Sequence, residues 1–89
     1  MPRLPKPKLV ELEGDYFHIR FREPGDFSEI RTPQWATDAA ADVQEGAKVR
    51  TGKRKGGDEW VVQSVLIPES VGKAKAREQA NEILEKLEA

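Results

Sequence analysis

Phe17, Ile19 and Phe21 alternate with Tyr16, His18, Arg20 and Arg22 along the clearest period-two stretch of the chain. Such alternation sends successive side chains to opposite faces of a strand. The three apolar residues therefore belong to a core. The other face carries a phenol ring, an imidazole and two guanidiniums. Leu9–Leu12 reads as a partner strand, joined through Glu13-Gly14-Asp15 as a hairpin turn, and Pro24-Gly25-Asp26 ends the second strand.

The period then changes. Thr32-Pro33-Gln34-Trp35 has the signature of a helix start, with Thr32 as N-cap and Pro33 at the first helical position. Trp35, Ala39 and Val43 recur every four residues with Ala36 and Ala40 beside them, and Asp38 and Asp42 lie off that stripe. Gly46 is the expected C-cap. On this spacing Trp35 is a core anchor, and the alanines let the helix approach a sheet closely.

Ala47–Gly52 and Glu59–Ile67 form the next strand pair. The run from Trp60 to Ile67 is rich in β-branched residues and nearly all apolar, which predicts a central strand covered on much of both faces. Pro68 stops it. Ser70 is the expected cap of a last helix reaching about Leu87. Ala76, Ala80, Ile83, Leu84 and Leu87 form its apolar stripe, and Glu82 can pair with Lys86. The order β-β-α-β-β-α predicts one α+β domain over residues 9–89. Its core architecture is a small antiparallel sheet, open or curled, with the C-terminal helix packed on it. Residues 1–8 alternate prolines with cations and predict a flexible basic tail.

Length agrees: 89 residues hold one domain and one modest core. There is no cysteine, which excludes disulfides, thiolate catalysis and cysteine-ligated zinc. No stretch approaches the roughly 18 apolar residues of a membrane span, and the basic N-terminus is followed by no apolar signal region. A cytoplasmic protein is the expectation.

Charge changes the picture more. The formal net charge is only −1, yet Lys48, Arg50, Lys53, Arg54 and Lys55 crowd into a short run that ends in Gly56-Gly57. That places Lys53, Arg54 and Lys55 at the tip of a hairpin, within reach of a polyanion. Lysines and arginines that neutralise phosphates release condensed counterions, which drives binding independent of sequence. If the strands are suitably ordered, Arg20, Arg22, Lys48 and Arg50 share a sheet face with Tyr16 and His18, and rings beside cations suit single-stranded nucleic acid. Trp60, at the return of the hairpin, is either an inward anchor or a stacking platform. The plainer reading of the run is a hairpin kept charged to discourage edge pairing.

Other chemistry has little footing. His18 is the only histidine and has no second His or Cys to complete a metal site, so neither metal nor cofactor is expected. Ser28, Ser64 and Ser70 lack a nucleophile-elbow setting. Gly52-Lys53-Arg54-Lys55-Gly56-Gly57 lacks the order of a phosphate loop and precedes a strand where a helix is required. The motifs of RNA-recognition, KH and helix-turn-helix domains are also missing. The expectation is therefore a non-enzymatic nucleic-acid binder, for DNA or RNA. Its contacts are Lys48, Arg50, Lys53, Arg54 and Lys55, then Arg20 and Arg22, with Tyr16 and Trp60 as stacking residues. The alternative is a protein-interaction or assembly module. Its C-terminal helix would offer Ile83, Leu84 and Leu87 to a partner or a second copy, and its hairpin would meet an acidic protein surface.

Overall fold

Alternation and hairpin chemistry place four of the strands where the sequence reading expects them. A computed structural model of the chain describes residues 6–88. It contains β1 (Leu9–Glu13), β2 (Tyr16–Arg20), β3 (Phe27–Arg31), α1 (Gln34–Ala41), β4 (Lys48–Arg54), β5 (Trp60–Pro68) and α2 (Lys73–Glu88). The strands form one sheet in the order β1-β2-β5-β4-β3, with every neighbouring pair antiparallel. The fold is α+β. Of the basic tail expected over residues 1–8, residues 1–5 lie outside the described residues, and Lys8 N–H donates to the Arg20 carbonyl at 2.8 Å.

Gly14, at φ +61°, is the first of two residues between Glu13 and Tyr16, a place that tight hairpins give to glycine because a side chain there is strained. β5 lies between β2 and β4, and Val61 through Ile67 are all buried, as its apolar run requires. One irregularity governs its faces. Arg50 pairs with Ser64 but Thr51 pairs with Val62, so Gln63 is an inserted residue. The Gln63 carbonyl accepts from Phe21 N–H (2.9 Å) and Arg22 N–H (3.2 Å), and its side-chain amide donates to the Arg22 carbonyl (2.9 Å). These bonds tie the end of β2 to the bulge.

Both helices pack on the face that carries Ile19, Val49, Val65 and Ile67. Ala36 and Ala40 from α1 and Ala76, Ala80, Ile83 and Leu84 from α2 complete the core, together with Phe21. Burying each large aliphatic contributes about 1.5–3 kcal/mol. Ile83 and Leu84 are at most 1% exposed against the sheet. They are therefore committed to the core of this chain, while Leu87, the third residue of that stripe, is half-buried at its edge.

Several local expectations are corrected. β3 was not anticipated. Thr32 does not cap α1: the helix starts at Gln34 after Pro33, without a side-chain cap, and ends at Ala41 with Asp42 following. Gly46 lies beyond that end, in the turn before β4, at φ +86°. Ser70 sits in a short 3-10 turn (Glu69–Val71), and α2 begins after Gly72. Lys86 pairs with Asp42 at 3.1 Å, bridging the two helices rather than bonding Glu82. Trp35 is 62% exposed, so it is not a core anchor. The alanines one position along the helix take the buried face, since their small side chains allow α1 to lie close to β4.

Candidate nucleic-acid interface

Among the described residues no helix packs on the second face of the sheet, and the strand register fixes what stands there. Glu11, His18, Leu66 and Lys48 form one cross-strand row, and Leu9, Arg20, Ser64 and Arg50 form the next. Tyr16 pairs with Pro68 in a third row. Side chains directly opposite in adjacent strands point to the same face. Tyr16, His18, Arg20, Lys48 and Arg50 therefore share one surface, although β5 separates their strands. Leu66 and Ser64 of β5 lie buried between them.

The Lys48 Nζ stands 5.4 Å from the centroid of the Tyr16 ring. β2 and β4 are two strand spacings apart, about 10 Å, so the Lys48 stem spans β5 to make this cation–π contact. Thr32, Lys48, Arg50 and Leu66 line a groove of about 330 Å³ on this face. Among the described residues, no ion pair engages Arg20, Lys48 or Arg50. Lys48 and Arg50 are exposed and Arg20 is half-buried, and Glu11 and Glu13 bound this face at the β1 edge.

The hairpin tip is arranged differently. Its return strand brings Asp58 to 3.7 Å from Lys53 and Glu59 to 3.8 Å from Arg54. Both pairs are solvent-exposed and loosely held, worth at most about 1 kcal/mol each, but they cancel much of the local charge. Of the three cations expected at the tip, Lys55 alone lies in the turn, exposed next to Gly56 at φ +80°, whereas β4 continues through Lys53 and Arg54. Register places Lys53 on the helix-bearing side of the sheet, opposite Trp60.

Arg22 does not join this surface. Its guanidinium forms a two-pronged ion pair with Glu88 at the end of α2, both bonds 2.9 Å, and donates to the Val62 carbonyl at 2.7 Å. The strand alternation ends at Arg20, and the Gln63 bulge turns Arg22 inward. Trp60 is 38% exposed at the end of the helix-bearing face, beside Trp35, a residue that sequence reasoning assigned to the core. Tyr16 remains half-buried under Lys48. No group of three His, Cys, Asp or Glu among the described residues is placed to hold a metal ion, and no described helix is long and apolar enough to cross a membrane. Compared with protein-family models, with curated proteins and with solved structures, the chain gives no match.

Proposed function

We propose that the chain is a non-enzymatic binder of single-stranded nucleic acid that uses the helix-free face of its sheet. The observation that carries this reading is the convergence there of Arg20, Lys48 and Arg50, free of carboxylate partners among the described residues, with the rings of Tyr16 and His18. The cations neutralise phosphates while the rings offer π-faces to bases, a combination that tolerates any sequence. Lys55 extends the contact at the hairpin tip, and Arg54 follows when a phosphate displaces Glu59. Absence of cysteine supports a cytoplasmic setting.

Fluorescence anisotropy of labelled single- and double-stranded oligonucleotides at several salt concentrations tests the reading. Single-stranded DNA or RNA is expected to bind more tightly than duplex. A variant carrying Arg20→Gln, Lys48→Gln and Arg50→Gln should lose three phosphate contacts, flattening the slope of log K against log salt by about 2. Neutralising Lys53, Arg54 and Lys55 together should flatten it less. Absence of binding at low salt by the folded protein would sink the proposal.

A further inference from the structure

Both tryptophans of the chain, Trp35 and Trp60, line one cleft. Pro33, Arg31 and Thr51 complete it, enclosing about 270 Å³. Thr51 and Trp60 follow the register of Val49 and Val62, so the cleft lies on the helix-bearing side of the sheet, past the cover of the helices. It is thus on the opposite face from Arg20, Lys48 and Arg50.

Water-exposed indoles forgo a large burial energy, and two gathered in one concavity mark a binding surface more than chance exposure does. The chemistry of the cleft narrows its ligand. The Arg31 guanidinium carbon lies 5.3 Å from the centroid of the Trp60 ring, and Lys53 stands directly opposite Trp60 across the strand pair. Arg31 and Lys53 hold Glu29 and Asp58 as exposed partners, and pairs of that kind yield readily to a phosphate. The volume falls below that of pockets for drug-sized ligands, which suits one planar ring system and not a run of peptide side chains.

We propose that the Trp35–Trp60 cleft takes one unpaired nucleobase, stacked on the indoles, with the adjoining phosphate on Arg31 and Lys53. This rests on the nucleic-acid reading and adds a base-holding site to a face that contacts mainly backbone. A strand that fills the cleft and the open face wraps the β3 edge of the sheet.

Because the cleft holds both tryptophans, emission excited at the red edge, where Tyr16 on the opposite face does not absorb, reports on the cleft. The probes are oligodeoxythymidine and oligodeoxyadenosine strands about twelve nucleotides long, beside an abasic strand of equal length that keeps the phosphates. Base-bearing strands are expected to quench the emission. The abasic strand should bind, as anisotropy reads it, without quenching. Trp35→Ala should weaken the base-bearing strands about tenfold and leave the abasic strand unaffected, with circular dichroism confirming the fold. Base-bearing strands that bind and leave the emission unchanged overturn the cleft assignment but not the open-face reading. An equal loss for both kinds of strand in Trp35→Ala also overturns it. If no strand binds at all, both proposals fail together. Quenching by a proline-rich peptide and by no oligonucleotide would reassign the cleft to protein recognition.

Discussion

Glu88→Ala is expected to cost the fold far more than its place on the last turn of α2 implies. One carboxylate oxygen accepts from Arg22 Nη1 at 2.9 Å and from Val62 N–H at 2.7 Å, and the other accepts from Arg22 Nη2 at 2.9 Å. The Arg22 and Glu88 side chains are 17% and 15% exposed, so water replaces these bonds poorly. Truncation leaves the guanidinium with one described acceptor, the Val62 carbonyl, and removes the carboxylate that accepts from Val62 N–H. Removing one partner of a fully buried pair costs about 3–5 kcal/mol; with partial exposure here, about 2–4 kcal/mol is expected. For a domain of this size that lowers the melting temperature by about 10–20 °C. Urea denaturation followed by tryptophan fluorescence gives the free energy. Because each single change strands the group left behind, Arg22→Met combined with Glu88→Ala should cost less than the sum of the two alone. A loss below about 0.5 kcal/mol for Glu88→Ala, or strictly additive effects, would refute the claim that this ion pair clamps α2 to the bulge of β5.

Two further changes probe the sheet. Gly52→Ala would place a methyl carbon 2.6 Å from Phe27 Cδ1 and 2.7 Å from Cδ2, so the Phe27 ring must move. An overpacking loss of about 1–3 kcal/mol is expected in denaturant melts, and Phe27→Leu should relieve part of it. Arg20→Gln should weaken oligonucleotide binding and flatten its salt dependence while leaving the melting temperature within a degree or two. Arg22→Gln, only two residues away, should do the reverse, and a matched loss of binding in both would contradict the facing assigned to them.

Where one element repeats without interruption, its residues reveal their places. Phe17, Ile19 and Phe21 read correctly as inward, and the apolar run of β5 read correctly as a central strand. The failures share one physical source, which is a locally shifted period. In β3 a bulge between Phe27 and Glu29 puts Phe27 and Ile30 on the same face three residues apart, so no alternation betrays the strand. The Gln63 insertion does the same for Val62 and Val65. In α1 the Trp35 stripe and the Ala36–Ala40 stripe differ by one residue. The closeness of helix to sheet that chooses between them is a tertiary fact. The basic run announced the candidate interface, but strand order decided its membership. β5 had to fall between β2 and β4 before Arg20, Lys48 and Arg50 shared a face. The carboxylates that temper the hairpin tip were visible as Asp58 and Glu59, yet only hairpin register sets them beside Lys53 and Arg54.

The strand order also bears on how the molecule comes into being. β5 is the last strand along the chain but occupies the middle of the sheet, pairing residues 64–68 with residues 16–20 on one side and reaching β4 on the other. A chain emerging from the ribosome therefore carries a β1–β2 hairpin and a β3–β4 pair with no ladder between them. The two halves meet only when β5 is laid down, and α2 then has a floor to pack on. Fragments that stop before Trp60 hold two separate strand pairs and nothing to join them, so the sheet is completed by β5 through its long-range pairing with β2.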